Sequence, residues 1–402
     1  MSIVCKNLTP FPHLQFSNTD NRGYEFGVLM IKVAFDVGAD GACTPAPEQE
    51  PFNFSDRTYG DMFTTSLRYP SDLVSYKPGT DIIADVIAHA PDAKPSARWD
   101  AGIQVVDGDE TTIEKRICVR GPRFWQPKWR LRLTDEQTRE WRKHRKLFRG
   151  WELTEAEPIE HLPVHYEFAY GGSIAKEVDE NGKPVLDAYE QNPIGRGLID
   201  RDWTDHTKPV AAPQLEPLDA TLNDAYAPVA VAGLGPIPPD WQPRLRRAGT
   251  YDDNWKKHIW PKWPPDYDFA YNNSAAEGLT SKRHLRGVLR IVLLNLRREA
   301  SKFILSVPDV MPWVVKDMAD GEPRFVCPHL DTIFLSMAPD DLFDCRVTLT
   351  FRTSFHWTDT KQAIIRLPNE AERKELAQRS ELINPAPHPF DCGVPCKDLE
   401  RS

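Results

Sequence analysis

Short apolar runs, separated by turn-forming residues, mark two strand-rich regions of the chain. In the N-terminal region the predicted strands fall at residues 24–37, 80–88, 101–106 and 111–119. In the C-terminal region they fall at residues 287–296, 302–307, 331–337 and 343–351. Because no helical stretch of βαβ length separates the N-terminal runs, antiparallel pairing is predicted.

The last of these runs has a strict period of two. Phe343, Cys345, Val347, Leu349 and Phe351 alternate with polar or charged residues. This pattern predicts an antiparallel strand with one face on the core and the other in water. Together the runs predict a mainly β protein of antiparallel, sandwich-like sheets, with long ordered Pro/Trp-rich loops and a few short helices.

A helical segment interrupts the β pattern between residues 126 and 157. Thr134 and Gln137 have the spacing of a capping box, which predicts a helix from Asp135 to Arg149. An aromatic stripe follows one side of this helix, formed by Trp141, His144, Phe148 and Trp151. The remaining sides are basic, which is typical of a solvated surface helix docked through its aromatic stripe.

A partner-docking helix is the sharper interpretation of the same segment. Its contacts to an acidic protein surface would come from Arg142, Lys143, Arg145 and Lys146. Stacking of RNA bases is a weaker alternative, because the 50 Lys and Arg and 59 Asp and Glu of the chain give a net charge of -9. Nucleic acid is therefore not an expected partner.

Residues 192–274 show almost no periodicity, yet they are rich in large rings. Eight prolines lie between residues 228 and 265, and four of the chain's 12 tryptophans lie there too: Trp241, Trp255, Trp260 and Trp263. A disordered segment would be poor in aromatic residues, so this one is predicted to be ordered against the sheets. It is either a structural cover of sheet faces and edges, or a preorganised binding surface that uses these tryptophans.

Length and composition limit the class of protein. The 402 residues suggest two or three domains or one composite fold, divided here into residues 1–125, 126–157, 158–357 and 358–402. In the last of these ranges, residues 369–380 are rich in Glu, Lys, Arg, Ala and Leu, which predicts a short helix before the proline-rich tail. No apolar stretch approaches the length of a membrane span, and no secretory signal is recognisable. Seven scattered cysteines are consistent with reduced thiols, so a cytoplasmic protein without membrane contact is expected.

Few residue clusters suggest chemistry. His161 and His165 have the spacing of a helical zinc pair, but Pro163 argues against a helix there. The tail residues His388, Asp391, Cys392 and Cys396 leave three alternatives open, namely a soft metal, a redox-dependent disulfide or ordinary thiols. No catalytic residue, metal or cofactor is expected from these patterns.

A carbohydrate-active hydrolase stays open as an alternative because carboxylates adjoin aromatic residues. Asp240 precedes Trp241, and Asp252 and Asp253 precede Trp255. Such neighbours are common in large β proteins, so the signal is weak.

Several short motifs together resemble one family. They are SLRYPSDLVSYKPGTD at 66–81, VRGPRFW at 119–125, YGG at 170–172, NPIGRG at 192–197, GPI at 235–237, WQPR at 241–244, AGTYD at 248–252 with Trp255, and PDYD at 265–268. In order and spacing they are similar to the bacterial domain-of-unknown-function family 2169, and the resemblance extends from about residue 10 to 355.

The resemblance implies a function rather than a catalytic site. Members of the family are encoded in type VI secretion clusters and implicated as adaptors or chaperones of secreted effectors. By resemblance, this chain would be a bacterial, cytoplasmic, non-enzymatic adaptor whose partners are an effector and the trimeric spike protein or its PAAR-like tip. A structural subunit of the secretion apparatus is a further alternative. The basic helix and the tail after Ala363 resemble additions outside the shared motifs.

Charged residues within the motifs are predicted to form buried ion pairs that hold loops. Lys77 is expected to pair with Asp72 or Asp81, and Arg123 or Arg244 with nearby carboxylates.

Overall fold

Strands account for most of the regular structure in the computed structural model, which describes residues 4–19, 25–318, 323–337, 345–356 and 360–372. The strands of the first half are β1 Val4–Asn7, β2 His13–Thr19, β3 Glu25–Val37, β4 Cys43–Pro45, β5 Arg57–Thr58, β6 Leu67–Tyr69, β7 Asp81–Asp85, β8 Ile87–His89, β9 Arg98–Asp107, β10 Glu110–Arg120, β11 Phe124–Trp129, β12 Phe148–Leu153 and β13 His161–Pro163. One short α-helix, α1, spans Asp135–Arg139.

The second half contains many very short strands. They and the longer C-terminal strands are β14 Tyr170–Gly171, β15 Ser173–Val178, β16 Pro184–Ala188, β17 Arg196–Gly197, β18 Val210–Ala211, β19 Leu215–Glu216, β20 Leu289–Leu294, β21 Lys302–Val307, β22 Trp313–Met318, β23 Pro323–Val326, β24 His329–Ser336, β25 Arg346–His356 and β26 Thr360–Arg366. Single turns of 3-10 helix occur at Pro91–Ala93, Tyr166–Phe168, Leu245–Arg247 and Phe269–Asn272.

Two large sheets carry the core. One has the order β2-β3-β25-β24-β7, with β4 paired to β3, and the other has the order β19-β10-β9-β20-β21. All pairs in these sheets are antiparallel except β24 with β7. The prediction of a mainly β protein with antiparallel sheets is confirmed. Each large sheet combines strands from residues 1–125 with strands from residues 287–352, so these two ranges share their sheets.

β3 lies near the middle of the first sheet, and both of its faces are buried. Leu29, Ile31 and Val33 join the main core, whereas Val28 and Met30 belong to a separate cluster on the opposite face. Because the sheet is covered on both sides, a continuous apolar run suits β3 better than an alternating one.

β25 shows the limit of the alternation rule. The apolar residues Cys345, Val347, Leu349 and Phe351 are buried as predicted, but the intervening Thr348, Thr350 and Arg352 are buried as well. The expectation of a half-exposed strand is therefore wrong. Polar side chains are tolerated on this face because they find partners there, as the contacts of Arg352 described below illustrate.

The predicted helix from Asp135 to Arg149 is shorter than expected. Its capping box is confirmed, since the Thr134 hydroxyl accepts from the Gln137 amide and the Gln137 side chain accepts from the Thr134 amide. After α1 the chain continues as a 3-10 helix, Trp141–Leu147, and then enters β12. Phe148 and Arg149 belong to β12, which pairs with β11, and not to the helix. Contacts between strands therefore outweigh the helical spacing of the aromatic residues in this segment.

The stretch predicted to lack periodicity, residues 192–274, contains only two-residue strands and single helical turns. Its order is confirmed, since its residues are described throughout and many are buried. The predicted C-terminal helix begins at residues 370–372, and the rest of it lies outside the described residues, as do His388, Asp391, Cys392 and Cys396. No helix in the described part of the chain is long and apolar enough to cross a membrane.

Candidate partner-binding surface

Residues 249–268 form a closed loop, here called the aromatic loop. Its two ends are joined where the Thr250 amide and hydroxyl donate to the two Asp266 carboxylate oxygens, at 3.0 and 2.7 Å. Inside the loop, the Asp252 carboxylate accepts from the Trp255 amide at 2.8 Å, and the Trp255 indole N–H donates to the Lys262 carbonyl at 2.9 Å. The loop therefore has a defined shape, although the regular structure within it is limited to one turn of π-helix at Trp255–Ile259.

Trp263 anchors the aromatic loop to the first large sheet. Its ring lies 5.2 Å from that of Tyr267 and 5.3 Å from that of Phe269, and it packs on the cluster that contains Val28 and Met30. Aromatic pairs at such separations stabilise through both burial and ring geometry. The loop thus covers the outer face of β3, as one of the two interpretations of the sequence predicts.

The four predicted tryptophans differ in their exposure. Trp241 is only 5% exposed and makes an edge contact with Tyr166 at 5.6 Å, so it supports the loops from the core and offers no accessible surface. Trp255 and Trp263 are half-buried. Trp260 is 67% exposed, and Tyr251, which contacts Trp255 at 4.7 Å, is also exposed. Trp260 and Tyr251 therefore form the outward face of the aromatic loop.

A buried carboxylate ties the end of residues 192–274 to the sheet. Asp81, at the start of β7, is fully buried and accepts from the Lys77 ammonium at 2.8 Å, the Asn273 amide side chain at 2.8 Å, the Ser274 main chain at 2.9 Å and the Thr280 hydroxyl at 2.8 Å. The predicted pair of Lys77 with Asp81 is confirmed. A buried carboxylate with four donors is satisfied, and the two segments are held in one arrangement.

Other predicted ion pairs have mixed outcomes. Arg123 pairs with the buried Glu216, which also accepts from Arg120 at 2.9 Å. This confirms the prediction for Arg123, the first of its two alternatives. Arg244, the other alternative, instead donates to the carbonyls of Ile237 at 2.6 Å and Tyr271 at 2.8 Å. Main-chain carbonyls are alternative acceptors that a sequence pattern does not reveal.

Two further buried pairs lie near Asp81. Lys32 binds Asp72 at 2.6 Å, which gives Asp72 a partner other than Lys77. Arg352 binds Asp331 and also donates to the carbonyls of Asp72 and Val74. It therefore connects β25 to the loop that precedes β7.

Two stacked imidazoles lie beside these ion pairs. The rings of His284 and His329 are 4.3 Å apart with an interplanar angle of 19°. His284 hydrogen-bonds the Lys77 carbonyl at 2.8 Å. Burial, followed by the proximity of His284 and Arg286, lowers the pKa of His329 to about 3, and burial also lowers the pKa of His284. Both imidazoles are therefore neutral at physiological pH.

The basic segment around Arg142 rests on a ring cluster. Trp141, Phe148 and Trp151 surround His206 at ring distances of 4.5, 4.6 and 5.4 Å. The aromatic stripe of the sequence is thus an internal contact surface. His144 is not among the rings that contact His206 in the described chain.

The four basic candidates of this segment are exposed but differ in their contacts. Lys143 pairs with Glu140 at 2.6 Å, and Arg145 pairs with Asp202 at 2.7 Å. Arg142 lies over the rings of Trp141 and Trp203, each at 5.4 Å. Lys146 has no ion-pair partner within the residues that the structure describes. Arg142 and Lys146 are consequently the charges best placed for an external partner.

The histidines considered for zinc are used in another way. His161 lies in β13 opposite His89 of β8, and the ring of His165 lies 4.0 Å from that of Tyr59. Among the described residues no three histidine, cysteine or acidic side chains are grouped so as to hold a metal ion.

A projecting hairpin was not identified from the sequence. β15 and β16 pair only with each other in the described chain, and none of their residues is buried. Asn181 and Gly182, which lie in the turn, are a common hairpin signal and could have indicated it.

The sequence model of one protein family, described as an uncharacterized protein conserved in bacteria, domain of unknown function 2169, matches residues 22–352. The chain belongs to this family. The matched range encloses the basic segment and ends before the C-terminal tail. No curated protein and no solved structure matches the chain.

Proposed function

We propose that the protein is an adaptor that binds a toxic effector in the bacterial cytoplasm and helps to load it onto the type VI secretion spike or its PAAR-like tip. The proposed activity is binding between polypeptides, without catalysis. Family membership supports the proposal through the secretion context that the motif resemblance implies. The aromatic loop supports it through its geometry.

One observation carries the proposal: exposed rings stand on a loop that is already rigid. Trp263 fixes the loop to the sheet and the Thr250–Asp266 contacts close it, while Trp260 and Tyr251 face solvent. The energetic hot spots of protein interfaces are enriched in tryptophan and tyrosine. A loop that is ordered before binding loses less conformational entropy when a partner is bound.

The basic segment supplies a second, electrostatic surface. Arg142 and Lys146 are exposed, and neither forms an ion pair within the described chain. Exposed charges of one sign accelerate and orient the encounter with an oppositely charged surface. An acidic patch on the effector or on the spike would complement this segment.

The direct test is to co-express the full chain with the effector encoded beside it and to measure how much effector co-purifies. Trp260→Ala is expected to reduce capture about tenfold or more, because a lost aromatic hot spot costs about 2 kcal/mol. Phe63→Ala, at a ring that is also strongly exposed but lies outside the aromatic loop, is the matched control. If both variants captured as much effector as the unchanged chain, the aromatic loop would not be part of the interface.

A second experiment addresses secretion itself. Deletion of the chain is expected to lower the stability and export of one effector in a secreting strain, with restoration by the intact gene. Unchanged export would contradict the adaptor function, and loss of every effector would instead indicate a structural subunit.

The basic surface has its own test. Arg142→Glu with Lys146→Glu is expected to weaken capture by an amount that shrinks as salt concentration rises, because screened charges contribute less. Lys94→Glu with Lys302→Glu changes the net charge equally at exposed positions elsewhere and serves as the control. Identical salt dependence of the two double variants would assign the segment a structural role only.

A further inference from the structure

The hairpin of β15 and β16, here called the ribbon, separates its side chains into two unlike faces. Side chains opposite each other in an antiparallel pair share a face, and faces alternate along each strand. The observed pairs Ala175 with Leu186 and Val178 with Pro184 place these four residues on one face. That face also includes Ser173 and Ala188 at the base, so it is almost entirely apolar.

The opposite face turns toward the protein. Lys176 binds Asp187 across the ribbon and Asp200 of the neighbouring loop at 3.5 Å, and both Lys176 and Ile174 are half-buried. The bulge between Ala175 and Glu177 keeps Lys176 on this inner face. The apolar face therefore points outward, and every residue on it is exposed, including Val178 at 69% and Leu186 at 59%.

An outward apolar face is an unusual feature in a ribbon of only two strands. Two strands alone are marginally stable in water, and a further strand or packing partner is normally needed. Neither outer edge of the ribbon pairs with another strand in the described chain. A free edge is the ordinary site at which a strand from another polypeptide adds to a sheet.

A cleft lies at the base of the ribbon. It has a volume of about 620 Å³ and is enclosed by the ribbon and the turn before Leu245–Arg247, with Tyr189, Leu198 and Pro243 among its lining residues. Ala188 of the outer face and Asp187 of the inner face both line it, so the cleft opens where the two faces of the ribbon meet. A segment that runs along the ribbon would enter the cleft at this point.

The charge around this surface is acidic. Lys176 is already neutralised by Asp187, which leaves Glu177, Asp179 and Glu180 near the tip against Lys183 alone. The charged residues that line the cleft are Asp187, Glu190 and Arg246, two carboxylates and one guanidinium. Complementarity therefore favours an occupant that carries positive charge.

We propose that a free edge of the ribbon and the cleft at its base bind an extended, basic segment of the partner polypeptide, which joins the ribbon as a third strand. This inference deepens the proposed adaptor function and rests on it. Apolar side chains of the segment extend the outer face that contains Val178 and Leu186, and its basic side chains lie near Glu180 and Glu190.

The test uses the full chain and short synthetic peptides in a fluorescence binding assay. One peptide alternates valine and threonine between lysine-rich ends, a second replaces the lysines by glutamates, and a third places prolines in the interior to prevent strand pairing. The lysine peptide is expected to bind at least about tenfold more tightly than either of the others. Equal binding of all three, or no binding, would overturn the proposal.

Matched variants locate the binding site on one face. Val178→Ser with Leu186→Ser is expected to weaken lysine-peptide binding about tenfold or more, because two apolar contacts are lost while the charge is unchanged. Val185→Ser, on the opposite face and 47% exposed, is expected to change binding less than about threefold. If the double and single variants lost the same amount of peptide affinity, or none, the outer face would not be the binding site.

Hydrogen exchange of the ribbon amides provides an independent measurement. The peptide is expected to protect these amides, and unprotected amides would contradict strand addition.

Two outcomes separate this proposal from the adaptor function. Full effector capture by the Val178→Ser, Leu186→Ser variant would overturn the ribbon site and leave the adaptor function standing. If the unchanged chain bound the lysine peptide but captured no effector, the adaptor function would be overturned and the ribbon site would stand. Self-association of the chain that the double variant abolishes would show that a second copy covers the face, which also overturns the proposal.

Discussion

The aromatic loop and the ribbon are opposite solutions to the problem of holding an exposed segment in place. The loop has almost no repeating hydrogen bonds, yet Trp263 and the nearby Asp81 network connect its surroundings to the core. The ribbon has a regular ladder of strand pairs but not one buried residue. Regular secondary structure and stability are thus distinct properties, because burial and satisfied buried charges supply most of the stabilisation.

The largest expected effect comes from the buried carboxylate. Asp81→Asn removes the negative charge beside the buried Lys77 ammonium and should lower the free energy of unfolding by about 3–5 kcal/mol. Denaturant titration measures this change. Thr280→Val removes only one of the four donors to Asp81 and should cost about 1 kcal/mol. Similar small losses in both variants would contradict the role of Asp81 as the main attachment of residues 192–274.

A pair of tryptophans within the aromatic loop provides the next comparison. Trp263→Ala removes the ring that packs on the sheet and should lower the free energy of unfolding by about 2 kcal/mol. Trp260→Ala, three positions earlier on the exposed side, should change it by less than about 0.5 kcal/mol. Thermal unfolding of both variants gives the comparison, and equal destabilisation would show that the loop is not anchored through Trp263.

Acidification should weaken the anchored region by a similar amount. The folded chain keeps His329 neutral, with a pKa of about 3, whereas an unfolded histidine titrates near pH 6.5. The unfolded state therefore binds the proton first as pH falls below 6.5, and stability declines by about 2 kcal/mol between pH 7 and pH 5. The lowered pKa of His284 acts in the same direction.

Denaturant titrations at several pH values test this expectation. His329→Gln should reduce the loss of stability on acidification, while His258→Gln, at an exposed position of the aromatic loop, should leave it unchanged. A pH dependence that is the same in both variants would exclude the buried imidazoles as its source.

The smallest effect is expected in the ribbon. Val178→Ser with Leu186→Ser should change the free energy of unfolding by less than about 0.5 kcal/mol, since both side chains are exposed in the free protein. Native-state hydrogen exchange should show rapid opening of ribbon amides and slow exchange in β3. If the ribbon amides were strongly protected from exchange without a partner, the ribbon would be stable by itself, which would contradict the contrast drawn with the aromatic loop.

Local patterns predicted those parts of the fold that depend on close neighbours. The continuous apolar run of β3, the buried apolar positions of β25 and the capping box at Thr134 all involve residues within a few positions of each other. The position of β21 was predicted without error, Lys302–Val307, because its buried and exposed residues alternate along the whole strand. The pair of Lys77 with Asp81 is similarly local, since the two residues are four positions apart.

The candidate site was predicted only in outline. Proline and tryptophan content indicated an ordered segment, but it did not distinguish the buried Trp241 from the exposed Trp260. The basic stripe suggested a long helix, and pairing of β12 with β11 shortened it to α1. The ribbon was missed because its residues are neither buried nor strongly periodic when the bulge at Lys176 interrupts the alternation.

The sequence by itself determined where eight strands of the two large sheets occur, which segment has little regular structure and where α1 begins, because periodicity and capping act over a few bonds. Only the tertiary structure decided which faces are covered, which tryptophan is accessible and which donors surround Asp81. Those properties depend on segments far apart in the chain, such as residues 81 and 273, that become neighbours when the sheets form. Burial is a property of the packed arrangement, so no local pattern contains it.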